Sequence, residues 1–474
     1  MAELTPEQLE TLPDEMRIFT IQKAIESSGP RLGRLSLAGR KVLETPNYLG
    51  NASRGVIPHL SPDNFRRHTN VSGVYLSLED FIEKIPRDVP PIYNQDAAPN
   101  ESALKRFICL PEDNIAVLGA RRYTPVVGSA HNTDTSISIC ASVGFRSLPV
   151  QDYITATLKL CPDIAICLAD VVYDHNPSRR RMEKVSDRTF SWVTKMIEQL
   201  NRPEVQESRP TLFAPIPPVP IGRQWAYIDK LSEELKDEIS GLAIYDAEAI
   251  GNLPEPLTLL PRLSMSPLTS PNQLLQQIAS GYDVFIVPFI NLASDAGIAL
   301  TFQFPPPATT SVDTRSSPVE LGLNLWDKVY EADVSAVMEG CSCHCCTSHH
   351  RAFLQHLLNA REMLAWVLLQ MHNHHVMDNF FARVRKSIAD GTFEEDRLAF
   401  ERYYVPDLPE QTGLGPRIRG YQFKSGEGDP KANPAPFTML DAQREGLAES
   451  ATPGDVPDSE LIEHGFAEKT DKAS

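Results

Sequence analysis

Cysteines are concentrated in one short stretch of this 474-residue chain, where Cys341, Cys343, Cys345 and Cys346 account for four of the eight. His372 follows after a gap of twenty-five residues. Thiolates and imidazoles are the ligands that a tetrahedral zinc ion prefers, at roughly 2.0–2.3 Å. The pattern therefore predicts a zinc site, and four protein ligands make the ion structural, since no open position remains. A redox-sensing thiol cluster is the alternative interpretation.

This ligand spacing restricts the path of the chain after the cysteines. Apolar residues recur there at a helical spacing, at Phe353, Leu357, Leu364, Leu368 and Met371. One straight helix from Cys346 to His372 would separate the two by roughly 39 Å, a gap that no metal ion bridges. We therefore predict a short helix, a turn and a long helix over about 349–358, 359–361 and 361–388. Thr347 or Ser348 is expected to cap the short helix.

Residue chemistry alone leaves the choice of ligands open. Cys345 competes with Cys346 for the third sulfur position, because the two are adjacent. Further histidines compete with His372 for the nitrogen position, namely His344, His349, His374 and His375.

Upstream of the cysteines, apolar segments alternate with amphipathic ones. The candidates for buried strands are residues 163–170, 211–215, 241–245 and 283–288. The candidates for helices between them are residues 189–200, 225–238 and 271–280. Strands that are apolar on both faces and alternate with helices indicate a parallel sheet covered by helices. At this length the pattern predicts the α/β class and a (β/α)8 TIM barrel.

We divide the chain into two regions. Residues 15–404 are assigned to the TIM barrel, which includes a zinc-binding helical subdomain over about 335–390. From residue 405 the periodicity disappears, and Gly, Pro, Glu and Asp dominate. Such a composition cannot bury enough apolar area to offset chain entropy. Residues 405–474 are therefore predicted to be a disordered acidic tail.

The charge balance limits the classes of function. A net charge of -17 argues against a general nucleic-acid coat protein, which would have a basic surface. Basic clusters at 179–188 and 383–386 are either solvated helix faces or a local basic groove. No stretch approaches the ~18–20 apolar residues of a membrane span, and the amino terminus lacks the pattern of a secretory signal. We therefore expect a cytoplasmic protein without a membrane span.

The cysteine and histidine spacing resembles that of the tRNA-guanine transglycosylase family, whose zinc motif is C-x-C-x₂-C, twenty-five residues and a histidine. Cys341, Cys343, Cys346 and His372 match this motif without a gap. The likeness covers roughly residues 15–400. Family members are (β/α)8 barrels that exchange a guanine in tRNA for a modified base; in eukaryotes they install queuine at the wobble position of G-U-N anticodons. The resemblance implies these four ligands and one structural Zn²⁺ per subunit.

The same resemblance identifies catalytic parts that this chain lacks. Catalytic members attack the ribose with an Asp that follows a Gly-x-Asp-x-Phe segment, and here that position is Ile286. An isoleucine side chain can neither attack the sugar nor take a proton. The segments that correspond to the base-contact loops, near 215–218 and 266–268, are rich in proline instead of glycine. Asp170 could occupy the place of a base-recognising Asp, or it could cap the next helix.

This pattern is typical of the family's non-catalytic eukaryotic subunits, which implies that the chain holds no catalytic residue. The resemblance implies a heterodimer with a catalytic subunit, a contact through the helices of about 349–388, and binding of tRNA. By analogy with the family, a peripheral association with the mitochondrial outer membrane is expected. The alternative is an active base-exchange enzyme or glycosidase that uses displaced carboxylates, at Asp170, Asp283 or Asp295. A zinc-containing binding module unrelated to tRNA is a third interpretation.

Overall fold

The computed structural model describes residues 18–24, 29–82, 91–95, 101–127, 131–141, 144–173, 177–203, 209–307 and 317–416. Its strands, in chain order, are β1 (Phe19–Ala24), β2 (Arg31–Leu35), β3 (Leu43–Thr45), β4 (Asn47–Asn51), β5 (Gly73–Ser77), β6 (Ile115–Gly119), β7 (Ser136–Ala141), β8 (Gly144–Pro149), β9 (Ile164–Ile166), β10 (Thr211–Ile216), β11 (Gly241–Ile244), β12 (Arg262–Ser264), β13 (Val284–Ile286), β14 (Ile298–Leu300) and β15 (Gly322–Asn324).

The α-helices of the same residues are α1 (Pro62–His68), α2 (Ala103–Ile108), α3 (Val150–Leu160), α4 (Arg179–Leu200), α5 (Trp225–Glu233), α6 (Glu255–Thr258), α7 (Pro271–Ala279), α8 (Pro288–Asp295), α9 (His344–Ser348), α10 (Arg351–Asn359), α11 (Met363–Asp390) and α12 (Phe393–Tyr403). Among these helices, none is both long enough and apolar enough to cross a membrane.

Eight strands form a closed parallel barrel in the order β4, β5, β6, β9, β10, β11, β12 and β13. The ring closes where β13 pairs with β4, which sets Ile286 beside Leu49. The predicted (β/α)8 barrel is therefore confirmed. Strand candidates 163–170, 211–215, 241–245 and 283–288 correspond to β9, β10, β11 and β13, because apolar side chains cover both faces of a barrel strand.

Apolar side chains fill the interior of the barrel. Alternate residues of each strand point inward, among them Leu49, Tyr75, Ile166, Phe213, Leu263 and Ile286. The sheet of β1, β2 and β3 contributes Leu35 and Leu43 to the same cluster and closes the amino-terminal end of the barrel. Arg40, between β2 and β3, reaches Asp163 directly before β9 with a separation of 2.6 Å. The barrel is thus plugged at one end and open at the carboxyl ends of its strands.

The subdomain that follows α8 contains the paired strands β14 and β15 and the helices α9, α10 and the first half of α11. The predicted short helix, turn and long helix correspond to α10, residues 360–362 and α11. The predicted cap was wrong. Cys343 caps α9, and the ring of His350 accepts the amide of Phe353 at the start of α10.

The end of the described chain lies against the body of the protein. Val405 donates its amide to the carbonyl of Val319, and the Asn324 side chain donates to Thr412 at 2.8 Å. Residues 405–416, which the sequence assigned to the tail, therefore make specific contacts with the subdomain. The remainder of the predicted tail, residues 417–474, lies outside the described residues.

Candidate metal centre and barrel mouth

Three thiols and one imidazole converge in the helical subdomain. The ligand atoms of Cys341, Cys343, Cys346 and His372 all lie within 4.8 Å of one another. Nδ1 of His372 is 3.8 Å from the sulfur of Cys341 and 3.4 Å from the sulfurs of Cys343 and Cys346. Bond lengths of roughly 2.0–2.3 Å in a tetrahedron require about 3.5–3.8 Å between ligand atoms. The four side chains therefore fit a tetrahedral metal ion.

Local structure places the three sulfurs side by side. Cys343 is the N-cap of α9, and its sulfur accepts the amide of Cys346 at 3.3 Å. One helical turn thus brings Cys343 and Cys346 to the same side. Cys341 lies two residues before the cap, in the turn where its amide donates to the carbonyl of Met338. The CxCxxC spacing therefore places three sulfurs on one short helix and the turn before it. This arrangement preforms the cysteine side of a metal site.

The barrel-side contacts of α11 orient His372. Its Nε2 lies 2.8 Å from the carbonyl of Leu300 in β14 and donates to it, which leaves Nδ1 free to ligate. The adjacent Asn373 accepts the amide of Leu300 and donates to the carbonyl of Ile298. Burial lowers the pKa of His372, but hydrogen bonds to Cys341 and Cys346 outweigh it and raise that pKa to about 9 without a metal.

The competing ligand candidates lie elsewhere. Cys345 is fully buried in the apolar core of the subdomain and is absent from the ligand group. The ring of His344 stacks on His68 of α1, and that of His349 stacks on Phe353. The side chain of His375 lies at the edge of the site, 3.4 Å from the hydroxyl of Ser342.

His374 belongs to a buried polar network between α11 and the barrel, which sequence reasoning did not find. Its Nδ1 is 3.0 Å from the hydroxyl of Tyr48, which donates to Asp378 at 2.8 Å. Its Nε2 is 3.1 Å from the amide nitrogen of Gln370. Burial lowers the pKa of His374 to about 3, so the imidazole is neutral. The repeat of polar residues on one face of an otherwise apolar helix was the available signal.

A cavity of about 230 Å³ opens at the carboxyl ends of the barrel strands. Tyrosines and prolines form much of its wall, among them Tyr75, Tyr123, Tyr245, Pro218 and Pro267. Pro218 and Pro267 belong to the segments 215–218 and 266–268, which by the family resemblance correspond to the base-contact loops. No aspartate or glutamate lines this cavity among the described residues. The mouth of this barrel can therefore enclose a small molecule, and the described part of its wall presents no carboxylate.

The carboxylates named in the sequence analysis have structural partners. Asp283 forms a bidentate pair with Arg31, at 2.8 and 2.5 Å, at the amino-terminal end of β13. Asp170, fully buried, accepts two hydrogen bonds from Arg181 and one from Arg188, and it does not cap α4, where Ser178 is the cap.

Asp295, at the end of α8, lies 2.6 Å from Nε2 of His59. All three carboxylates are thus held by cationic or imidazole groups of the scaffold.

Fold and site together define a class of protein, the TIM barrels that carry a Cys3His metal site in a helical subdomain after the last barrel strand. The family profile described as "Queuine tRNA-ribosyltransferase" matches residues 26–406. The chain belongs to this family.

Individual relatives carry a narrower name. "Queuine tRNA-ribosyltransferase accessory subunit 2" of Schizosaccharomyces pombe is 35% identical over 406 residues, which cover 85% of this chain and 88% of the relative. Proteins of the same name from Xenopus tropicalis and Gallus gallus are 26% and 27% identical, over 77% and 79% of this chain and 95% of each relative.

Proposed function

We propose that this protein is the non-catalytic subunit of a heterodimeric queuine tRNA-ribosyltransferase. In this assignment a catalytic subunit exchanges guanine for queuine at the wobble position of tRNAs with G-U-N anticodons. This chain builds the dimer and helps to hold the tRNA. The names of the relatives support an accessory role, and the geometry of the barrel supports a role without chemistry.

The observation that carries the proposal is the environment of Ile286. In the family, a carboxylate after the Gly-x-Asp-x-Phe segment bonds to the sugar. The matching side chain here ends β13, is fully buried and packs in the apolar cluster inside the barrel. An aliphatic group in this slot cannot act as that nucleophile.

The alternative, an enzyme with displaced carboxylates, would need an acid that reaches the barrel mouth. Asp170 and Asp283 are fully buried in ion pairs, and Asp295 is engaged by His59. None of the three lines the cavity. The geometry therefore favours the non-catalytic assignment.

We assign the metal as one structural Zn²⁺, held by Cys341, Cys343, Cys346 and His372. Four protein ligands complete a tetrahedral shell, and three of them are less than a tenth exposed. Bound there, zinc supplies a cross-link between the cysteine turn and α11. Metal analysis of the purified chain tests this assignment, with one equivalent of zinc as the expected result.

We place the contact with the catalytic subunit on the exposed side of the helical subdomain. Large apolar side chains project there into solvent, with Val334 at 77% and Val329 at 68% exposure. Met363, at the start of α11, is also exposed. A contiguous exposed apolar patch on a rigid surface is typical of an interaction site, and these side chains are our candidates for such a patch.

We place tRNA contacts on the basic residues beside the mouth of the barrel. Arg180 and Lys184 lie on the exposed side of α4, whose first turn follows the carboxyl end of β9. Arg181 and Arg188 of the same cluster pair with Asp170 and serve the scaffold. Arg179 is exposed too, but it pairs with Glu183 at 3.1 Å. Arg180 and Lys184 are therefore the candidates for phosphate contacts, and two such contacts would be a minor share of the tRNA interface.

The deciding experiment is a base-exchange assay with labelled guanine and tRNA. The purified chain alone should exchange no guanine. With the catalytic subunit added, exchange should occur and the two chains should co-elute. A covalent RNA adduct on the lone chain would overturn the assignment. We expect the protein in the cytoplasm, with a peripheral fraction on the mitochondrial outer membrane, which subcellular fractionation tests.

A further inference from the structure

The four metal ligands differ in their access to solvent. Cys343 and Cys346 are 5% and 8% exposed, and His372 is fully buried. Cys341 alone among them is half-buried, because it precedes α9 and lies at the surface of the subdomain. Any reagent that reaches the centre from solvent therefore meets the sulfur of Cys341 first.

A second cavity leads to this sulfur. It measures about 250 Å³, and Cys341 is the only one of the four ligands in its wall. The wall also contains polar and cationic side chains, among them Ser342, His375, Asn379 and Arg383. His375 lies 3.4 Å from the hydroxyl of Ser342, and Arg383 is exposed on the same helix as His375. The wall also includes Glu339, two residues before Cys341. A small polar molecule can therefore reach the sulfur of Cys341 through a cavity that contains hydrogen-bond donors.

We propose that Cys341 is an oxidation site through which peroxides release the zinc. The inference rests on the proposed zinc centre and assigns it a property beyond structural support. A sulfur that carries thiolate character and is exposed is the one that peroxides oxidise first. The donors around the cavity stabilise the oxygen that leaves when the peroxide is cleaved.

The reaction proceeds in two steps. The sulfur of Cys341 attacks one oxygen of hydrogen peroxide, the O–O bond breaks, and the departing hydroxide takes a proton to become water. The sulfur of Cys343 or Cys346 then attacks the resulting sulfenic acid, and hydroxide leaves as a second water after protonation. Two sulfurs are oxidised to a disulfide, and one peroxide is reduced to two waters. The disulfide removes two of the four ligands. The remaining cysteine and His372 are too few to hold the zinc, which is released.

The test uses the full-length chain in a Cys109→Ser background, because Cys109 is the one fully exposed thiol among the described residues and would compete for peroxide. Zinc content is measured first. Hydrogen peroxide is then added below one equivalent, with a chromogenic chelator to follow zinc and dimedone to trap sulfenic acid. Peptide mass spectrometry should find dimedone on Cys341 before Cys343 or Cys346, and zinc release should keep pace with this oxidation.

Blocking the cavity provides the matched comparison. Asn379→Trp places a large side chain in the cavity wall and should slow zinc release at least several-fold. Lys386→Trp, on the same helix but outside the cavity, should release zinc at the wild-type rate. Equal rates for both variants, or first labelling of Cys343 or Cys346 in the unblocked protein, would overturn the inference. A preparation without zinc would overturn the metal assignment itself, which separates the two failures.

Discussion

At the end of β13, Ile286 lies among apolar side chains and is fully buried. Replacing it by aspartate would bury a carboxylate among these apolar side chains. We expect Ile286→Asp to lower the free energy of unfolding by about 3–5 kcal/mol. Urea unfolding measures this change.

The matched control is Ile286→Val, which keeps the slot apolar and should cost only about 0.5–1.5 kcal/mol. An unchanged stability of Ile286→Asp would mean that water reaches the slot, and that this barrel has kept an open nucleophile position.

His374 makes the stability of the protein depend on pH. Tyr48 and Gln370 face its two nitrogens, and burial lowers its pKa to about 3. In the unfolded chain this histidine has an ordinary pKa near 6.5. Between that pH and pH 3 the unfolded chain therefore binds a proton that the folded protein does not bind. Stability contributed by the neutral imidazole is therefore present above pH 6.5 and is lost as the pH falls toward 3, by up to about 5 kcal/mol.

We expect His374→Gln to reduce the fall in unfolding free energy between pH 6.5 and pH 4, measured by urea titration at each pH. His356→Gln, which changes an exposed histidine of α10, is the control. Identical pH profiles for the wild type and His374→Gln would contradict the assignment of a buried neutral imidazole.

Among the elements, α9 and α10 depend most on the metal. The helix α9 has only five residues, α10 packs on the subdomain through Leu354, Leu357 and Leu358, and the cysteine turn before them reaches α11 through the four ligands. We expect Cys343→Ser to lose the metal and to raise amide hydrogen exchange over residues 338–360, with the barrel strands still protected. Exchange measured by mass spectrometry tests this prediction.

Cys345→Ser is the matched control, because Cys345 is buried nearby but is not a ligand. It should keep the metal and the protection of α9. Protection that survives in Cys343→Ser would show that packing alone holds these helices.

The elements also show how far sequence reasoning extends. The reversal between α10 and α11 was predictable, because the metal needs His372 close to Cys346. The caps were not, because cysteine and histidine are rare at N-cap positions and their geometry depends on the folded turn. The start of α4 was missed by ten residues, since its arginine-rich first turns lack apolar periodicity and are held by Asp170.

On the scale of the whole molecule, the exposed side of the subdomain should decide whether the heterodimer forms. Val329→Asp combined with Val334→Asp places two charges among exposed apolar side chains. We expect this double variant to lose most of its affinity for the catalytic subunit while it keeps zinc and thermal stability. Analytical size exclusion with the partner measures the loss.

Leu259→Asp is the control, because Leu259 is 63% exposed but lies between β11 and β12, away from the subdomain. Normal dimer formation by the double variant would place the interface elsewhere.

The contacts of the last described residues are also a property of the whole molecule. A chain that ends at residue 416 should keep the melting temperature of the full protein. A chain that ends at 404 should melt lower, because it loses the contacts of Val405 with Val319 and of Thr412 with Asn324. Equal melting temperatures for the two truncations would mean that these contacts contribute nothing. Composition alone could not reveal this boundary, since the contacts join residues about ninety positions apart.

Local spacing predicted the barrel and a cluster of thiols and imidazoles, whereas the choice of Cys341, Cys343, Cys346 and His372 came from the family resemblance. The cavities, the network of His374 and the partners of the three aspartates depend on residues that are distant in sequence. Arg31 and Asp283, for example, are separated by 252 positions. No local sequence pattern predicts such a pair, because the two residues come together only in the closed barrel.

The longest helix of the described residues, α11, packs against both the helical subdomain and the barrel. Over 28 residues, α11 starts at the exposed end of the subdomain, carries His372 about a third of the way along and, two turns further on, stacks Phe381 against Tyr48 of the barrel. At 1.5 Å per residue it is a rod of about 42 Å. A protein seated on the first turn of this rod is therefore held at a fixed angle and distance from the barrel, with no hinge between them. The separation of two barrels in such a pair would then be set by the length and direction of one uninterrupted helix.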